Sequence, residues 1–247
     1  MSLHPTQRFT DRAKDYAAFR PGYPRAVFDL LLTKCPLPAT AADIAAGTGI
    51  FSRGLATTGY RTIAVEPNAA MRAEAEGGPY EIIDGTGEST GLAAQSVDLI
   101  TVAQAFHWLD RTAAHAEFHR ILKPGGTIAI VWNSRVTEGN PFMADMLTMM
   151  QNLPGYNDSN HPRGKVLEDA VAAFCGPAAE RHVFANPHEL DFNSLIGRLL
   201  SASYVPKPGQ AGHDETMAGA RELYERHQVG GKLPYGLETI VYVNRTG

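Results

Sequence analysis

Five short apolar segments, alternating with stretches of helical periodicity, dominate the first half of the chain. Segments 40–46, 61–66, 80–84, 97–104 and 127–133 are rich in alanine and β-branched residues, which predicts buried β-strands. Strands that are joined through helices run parallel with right-handed crossovers. The alternation therefore predicts an α/β fold with a doubly wound, mostly parallel sheet.

The pattern changes after the fifth predicted strand. Residues 134–178 contain Met-rich and Gly/Pro/Asn-rich pieces without a clear strand, and we interpret them as an insertion. Residues 179–192 predict a sixth strand and 237–245 a seventh, with helices near 193–203 and 214–227 between them. A chain of 247 residues fits one domain, so we treat residues 1–247 as a single unit.

Charge and composition exclude several classes of partner. The formal net charge is −4 and no basic stripe is visible, which argues against nucleic acid and anionic membranes. No apolar run is long enough to span a membrane, and the first 16 residues lack the apolar stretch of a signal peptide. Cys35 and Cys175 are far apart in sequence. We therefore expect a cytoplasmic protein, and the sequence leaves its oligomeric state open.

The segment ADIAAGTGIFSRGLA, residues 42–56, joins the first predicted strand to a helix through two glycines, Gly47 and Gly49. Such a turn presents backbone N–H groups and the positive end of a helix dipole to a ligand. Glu66 ends the next predicted strand, where a carboxylate can accept hydrogen bonds from both hydroxyls of a ribose. Together, the turn and the acid predict a cofactor that contains a nucleoside.

This turn has three other interpretations. A nicotinamide dinucleotide site needs G-x-G-x-x-G, but Ser52 stands where the third glycine is required, so an NAD-dependent oxidoreductase is disfavoured. No Gly-Lys-Ser/Thr follows the turn, which excludes a phosphate-binding loop of the kind found in nucleotide hydrolases. The remaining alternative is a glycine turn that only connects a strand to a helix.

Several motifs, in order and with proper spacing, point to one family. They are YAAFRPGYP, DIAAGTG, AVEPNAAM, GTGES, SVDLITVAQAFHWLD and ILKPGGTIAIVWN, which lie between residues 9 and 133. With them the chain resembles the class I S-adenosylmethionine-dependent methyltransferases, and it is most similar to the small-molecule branch that includes trans-aconitate-type methyltransferases. The family pattern D-x-G-x-G-x-G corresponds to residues 43–49, with Ala45 in place of the first glycine.

The resemblance implies a Rossmann-like sheet of seven strands with an antiparallel last strand, S-adenosylmethionine as the cofactor, and an N-terminal lid in residues 1–23. It assigns the amino-acid end of the cofactor to Asp43 and the backbone from Ala45 to Gly47, with Tyr16 and Arg20 from the lid, and it includes Gly49 among the cofactor-binding residues. It assigns the ribose and nucleoside to Glu66, Pro67 and Asn68, the adenine edge to Thr86, Gly87 and Glu88, and the floor beneath the sulfonium to Ala103 and Gln104.

The acceptor site is expected after the fourth strand and in the insertion. Candidate walls are Phe106, Trp108, Trp132 and Tyr204, with Asn133 and Tyr235 as further lining. An acceptor that carries a proton would need a base, and His107 is the candidate, with a structural histidine as the alternative. A carboxylate acceptor would need an arginine. Arg135 and Arg198 are the candidates, although either could be an ordinary surface charge.

The resemblance thus implies methyl transfer to a small molecule, with an oxygen or carboxyl acceptor favoured. A methyltransferase-like protein that binds cofactor without catalysis remains an alternative. Residues 87–91 match the G-x-S-x-G of hydrolases, but the next strand begins too soon for the helix that this motif needs. His115 and His119 are four residues apart without an evident third ligand, so we expect no metal site.

Overall fold

A computed structural model describes residues 10–153, 156 and 165–245. Its main sheet has the order β3-β2-β1-β4-β5-β9-β6, and a separate ribbon pairs β7 with β8. The strands are β1 (Thr40–Ile44), β2 (Arg61–Val65), β3 (Glu81–Ile83), β4 (Val97–Ala103), β5 (Leu122–Arg135), β6 (Glu180–Ala185), β7 (His188–Leu190), β8 (Leu233–Tyr235) and β9 (Leu237–Arg245).

The direction of the strands follows the prediction. β1 pairs in parallel with β2 and β4, β2 with β3, and β4 with β5. β9 pairs in antiparallel fashion with both β5 and β6. The predicted α/β fold, with a mostly parallel seven-stranded sheet and an antiparallel last strand, is confirmed.

Helices cover both faces of the sheet and its carboxyl end. They are α1 (Ala13–Phe19), α2 (Arg25–Lys34), α3 (Ile50–Thr58), α4 (Ala69–Ala75), α5 (Arg111–Ile121), α6 (Pro141–Gln151), α7 (Lys165–Cys175), α8 (Phe192–Leu200) and α9 (His213–His227). Asn68 and Asp110 cap α4 and α5 by accepting backbone N–H bonds in the first turn. These capped helices return the chain to the edge where the next parallel strand begins.

Two predicted elements differ in detail. The sixth strand is two strands, β6 and β7: the backbone N–H of Asn186 still donates to the Leu237 carbonyl, but Pro187 has no N–H with which to continue. The helix before the fifth strand ends at Ile121, whereas the sequence predicted that residues 123–126 would end it. Those residues belong to β5, where the register shifts and Gly125 adopts a positive φ of 72°.

The chain forms more than one apolar core. One cluster joins the sheet to α5 and α7, and another joins the opposite face to α2 and α3. A further cluster unites α6, α8, α9, β7 and β8, and we call these five elements the cap. Three of the four methionines of α6, at positions 143, 146 and 150, are buried there. Among the described residues, none of the helices is both long enough and apolar enough to cross a membrane.

Candidate functional site

A cavity of about 260 Å³ opens at the carboxyl ends of β1, β2, β4 and β5. α1 and the cap, which includes α8, complete its walls. The residues that were predicted to hold a cofactor and that line it are Tyr16, Arg20, Ala45, Gly47, Glu66, Pro67, Asn68, Thr86, Gly87, Glu88, Ala103 and Gln104. The sequence therefore identified most of one half of this cavity.

The glycine turn runs along the cavity wall. Ala45, Gly47 and Gly49 have positive φ values of 54°, 59° and 73°. A Cβ atom at Gly47 would meet no atom within 4 Å, so this backbone faces open space. Next to it, the buried hydroxyl of Thr48 has no hydrogen-bond partner among the described residues. The absence of a side chain at Gly47 leaves room for a ligand, and the Thr48 hydroxyl can offer that ligand a polar contact.

Glu66 is held in place beside this turn. Its side chain accepts the backbone N–H of Gly47 and the N–H of Asn68, each at 2.9 Å. The residue is only 7% exposed, and burial raises the pKa of its carboxyl group, although both N–H bonds oppose that rise. Each carboxylate oxygen keeps a further lone pair for a ligand hydroxyl.

Asp43 lies behind the turn and does not line the cavity. Its fully buried carboxyl group accepts bonds from Ser52 Oγ at 2.5 Å and Thr101 Oγ1 at 2.8 Å. Burial raises the pKa of Asp43 to about 6 against the opposing effect of these bonds. Asp43 therefore fixes β1 to α3 and β4. Gly49 also lies outside the lining, since a Cβ there would stand 1.9 Å from Tyr80 Oη.

The loop that carries Thr86, Gly87 and Glu88 is anchored to α5 and to the residue that caps it. Glu88 accepts the backbone N–H of Asp110 at 2.8 Å. Glu117 accepts both the N–H and the hydroxyl of Thr90, two residues further along the chain. Since α5 supplies these anchors, the loop has a fixed position at the cavity.

The end of β4 forms the floor between the two halves of the cavity. Gln104 has a positive φ of 63°, and its amide donates to the Asn133 carbonyl at 3.3 Å. His107 and Trp108 lie in a 3₁₀ turn, and both line the cavity. The His107 ring contacts the rings of Trp108 and Trp132, with centroids 4.3 and 5.1 Å away. The predicted candidate base is therefore part of an aromatic wall.

The structure does not bring Phe106 to the cavity. This side chain is 1% exposed and packs edge-to-face on Phe174, with ring centroids 5.1 Å apart. The 3₁₀ turn directs successive side chains to different sides, so Phe106 enters the core while His107 and Trp108 face the cavity. The predicted wall residues Trp108, Trp132 and Tyr204 do line it.

The N-terminal helix covers one side of the cavity. Arg12 donates to the carbonyls of Leu200, Ala202 and Val205 at 2.5–2.7 Å, which ties the start of α1 to the end of α8. Phe19 packs so tightly against Gly197 that a Cβ there would meet its ring at 2.3 Å. This packing places Tyr16 and Arg20 over the cavity.

The end of β5 and the cap supply residues that the sequence identified only as general candidates. Arg135, Arg198 and Tyr235 line the cavity, and so do Met146 and Met150, which were not named. Both arginines are partly buried and are not the surface charges that were considered as the alternative. The spacing of methionines in α6 is the one local signal that could have indicated this wall.

Two sequence patterns outside the cavity have simple explanations. Ser89 of the G-x-S-x-G match lies in a turn closed by Thr86. His115 and His119 face each other, with their Nε2 atoms 3.2 Å apart. Within the described part of the chain, no group of three or more His, Cys, Asp or Glu residues could hold a metal.

Comparisons with known proteins agree on one family. Residues 42–130 match the model of a family described as a methyltransferase domain. An uncharacterised methyltransferase of Mycobacterium tuberculosis is 38% identical over 232 residues, covering 89% of this chain and 88% of its own. A putative methyltransferase of Dictyostelium discoideum is 32% identical over 224 residues, covering 87% and 84%.

Solved structures share the fold. A putative type II methyltransferase from Anaeromyxobacter dehalogenans superimposes with a TM-score of 0.66 at 26% identity, covering 92% of this chain and 98% of that one. A Haemonchus contortus phosphoethanolamine N-methyltransferase, solved with S-adenosylhomocysteine, gives 0.56 at 15% identity, covering 99% of this chain and 59% of that one. The second likeness concerns the fold alone.

Proposed function

Because the chain belongs to the S-adenosylmethionine-dependent methyltransferases, we propose that it transfers the methyl group of S-adenosylmethionine to an oxygen of a small molecule. The observation that carries this proposal is the continuity of the cavity. It runs from Glu66 and the glycine turn, past Gln104, to Arg135 and Tyr235 in the cap. A donor at one end and an acceptor at the other would share a single enclosed space.

The residues of the first half fit this cofactor. The open backbone at Gly47 admits a ligand, the Glu66 carboxylate suits a pair of ribose hydroxyls, and the unused Thr48 hydroxyl offers a polar contact. Pro67, Asn68 and residues 86–88 flank the nucleoside, while Tyr16 and Arg20 cover the amino-acid end. Bound there, the cofactor supplies a methyl group on a positively charged sulfur, a good leaving group.

The protein's contribution is alignment and exclusion of water. In such a transfer, a lone pair of the acceptor oxygen would form the bond to the methyl carbon as the carbon–sulfur bond broke, and the electron pair of that bond would remain on sulfur. This displacement needs nucleophile, carbon and sulfur in line, which the floor of Gln104 and the walls of Trp108 and Trp132 restrict. α1, tied to α8 by Arg12, keeps solvent away from the reaction.

The need for a base depends on the acceptor. A carboxylate is already deprotonated, whereas a hydroxyl must lose its proton as the bond to carbon forms. His107 is the proposed base in the second case, since its ring lies on the cavity wall between Trp108 and Trp132. His107→Gln would then lower kcat for a hydroxyl acceptor and leave kcat for a carboxylate acceptor largely unaffected.

We also propose a cytoplasmic location.

Calorimetry and a turnover assay test the proposal together. S-adenosylhomocysteine is expected to bind to the purified protein, while NADH is not. Methyl-labelled S-adenosylmethionine is then incubated with a panel of small hydroxy acids, phenols and carboxylic acids, and labelled product is followed by mass spectrometry. Binding of NADH alone would reject the cofactor, and tight binding without turnover on the whole panel would favour a non-catalytic binding protein.

A further inference from the structure

We propose that the cap half of the cavity binds a carboxylate group of the methyl acceptor through Arg135 and Arg198, and that this carboxylate is an anchor distinct from the oxygen that receives the methyl group. The inference rests on the proposed function for the identification of the bound molecule as the acceptor. It assigns a substrate class, small hydroxycarboxylic or polycarboxylic acids, from the charges around the cavity.

Two guanidinium groups lie against tyrosine side chains in this half of the cavity. Arg198 Cζ lies 4.5 Å from the centroid of the Tyr235 ring, and Arg135 Nη2 donates to Tyr204 Oη at 3.0 Å. Burial lowers the pKa of Arg198, while attraction to Tyr235 opposes this and repulsion from Arg20 and Arg135 adds to it. The phenol of Tyr235 responds to the same positive field: burial acts to raise its pKa, but Arg135 and Arg198 outweigh burial and lower it.

These positive charges lack a protein counter-ion. Among the described residues, neither Arg135 nor Arg198 forms an ion pair with a carboxylate. Arg198 Nη1 is buried without a hydrogen-bond partner there, and its Nε atom is used by the Phe19 carbonyl at 3.2 Å. A buried guanidinium with an unused N–H is costly unless a ligand supplies the acceptor.

The acidic residues of the cavity lie in its other half. Among the described residues, the carboxylates that line it are Glu66 and Glu88, which follow β2 and β3 where the nucleoside is proposed to bind. Arg20, directly after α1, stacks on Tyr16 at 4.7 Å and is the proposed partner of the cofactor's own carboxylate. Since the cofactor also brings a positive sulfur, Arg135 and Arg198 need negative charge from the acceptor.

The anchoring carboxylate differs from the group that is methylated, because only the methylated group changes its charge during the reaction. A carboxylate that is methylated loses its negative charge as the bond forms, so contacts to two guanidiniums would weaken toward the transition state and slow the step. A carboxylate that keeps its charge throughout can be held tightly without this cost. The planar forks of Arg135 and Arg198 suit such a group, and Met146 and Met150 give the rest of the molecule an apolar wall.

Matched pairs of acids and amides test the inference. Benzoate and benzamide, and hexanoate and hexanamide, are titrated into the protein with and without saturating S-adenosylhomocysteine and followed by ligand-detected NMR at pH 7. We expect each acid to bind at least about 10-fold more tightly than its amide, as charge-assisted hydrogen bonds imply. Arg135→Met and Arg198→Met should bring this ratio close to one, Arg198→Lys should retain part of it, and the exposed Arg61→Met should retain all of it.

The possible outcomes separate the two proposals. If S-adenosylhomocysteine does not bind while the acids retain their arginine-dependent preference, the proposed function fails and the anion site stands. If S-adenosylhomocysteine binds to all variants but amides bind as well as acids, no acid binds, or the methionine variants keep the preference, the anchor is rejected. Near-UV circular dichroism of each variant confirms that the comparison concerns folded protein.

Discussion

The Oε2 atom of Glu66 accepts the backbone N–H of Gly47 at 2.9 Å, so the acidic residue after β2 is oriented directly by the turn after β1. Asn68 N–H fixes the other carboxylate oxygen at the same distance. A buried carboxylate held at both oxygens cannot rotate freely. The turn and the acid, 19 residues apart in sequence, therefore form one structural unit.

This unit leads to a first prediction. Replacing Glu66 with Ala should weaken binding of S-adenosylhomocysteine by about 1–3 kcal/mol, because charge-assisted hydrogen bonds to the ribose are lost and the turn loses its acceptor. Calorimetry measures the change. Asp84→Asn is the control, since Asp84 is exposed at the end of the neighbouring strand and pairs with Arg72. Equal affinities of wild type and Glu66→Ala would contradict the ribose role.

The two glycines of the turn should respond differently to alanine. Gly49→Ala combines a positive φ with a Cβ placed 1.9 Å from Tyr80 Oη, so we expect a loss of about 2–4 kcal/mol in unfolding free energy. Gly47→Ala has only the backbone strain, about 1 kcal/mol, but its Cβ enters the cavity and should reduce cofactor affinity. Urea denaturation ranks the two variants by unfolding free energy, and calorimetry ranks them by cofactor affinity. If Gly47→Ala were the less stable of the two, the result would be inconsistent with this geometry.

Removal of the Arg12 side chain tests the attachment of α1. Arg12→Met loses charge-assisted bonds to the carbonyls of Leu200, Ala202 and Val205, so local opening of residues 10–20 should become easier by about 1–3 kcal/mol. Hydrogen–deuterium exchange of these amides should speed up accordingly, while that of β4 amides stays the same. Lys14→Met, at an exposed site on the same helix, serves as the control. Unchanged exchange in Arg12→Met would show that other contacts hold the helix.

Asp43 should give the protein a specific pH dependence. Its pKa is about 6 in the folded chain against 3.8 for the free side chain, because burial disfavours the charge. Between these values the folded state holds a proton that the unfolded state has lost, so stability falls as pH rises from about 4 to about 6. Asp43→Asn removes this effect, and its stability relative to wild type should increase over that range by on the order of 2–3 kcal/mol.

Urea denaturation of both proteins at several pH values measures this difference. The Asn oxygen can accept only one of the bonds that Ser52 and Thr101 donate to Asp43, and its NH₂ group meets the other hydroxyl as a donor. This exchange does not depend on pH, so the pH-dependent part of the difference reports the charge of Asp43. A difference that stays constant between pH 4 and pH 6, or that changes with the opposite sign, would contradict the raised pKa.

The sequence indicated more of the cavity lining near the glycine turn than of the lining near the cap, for a physical reason. The turn at Gly47 and the acid at Glu66 belong to one strand–helix–strand unit, whose local spacing fixes where they meet. Arg135, Arg198 and Tyr235 come from β5, α8 and β8, and only packing of the cap brings them together. No spacing in the sequence encodes that meeting.

The 3₁₀ turn after β4 illustrates a finer limit. Phe106 and Trp108 are both aromatic and follow the same strand, so composition gives no reason to separate them. The turn rotates one side chain into the core against Phe174 and the other toward the cavity. Their fates depend on backbone geometry over three residues, which propensity does not resolve.

The position of β9 affects how the chain can be made. Residues 237–245 form this strand, yet it lies inside the sheet between β5 and β6. On the ribosome, β5 and β6 are complete while the strand that joins them is still being synthesised or passing through the exit tunnel. Until residues 237–245 have left the tunnel, the nascent chain therefore exposes the unpaired edge of β5, where pairing with another chain is a hazard. A product released before residue 237 would leave β6 with no strand to pair with.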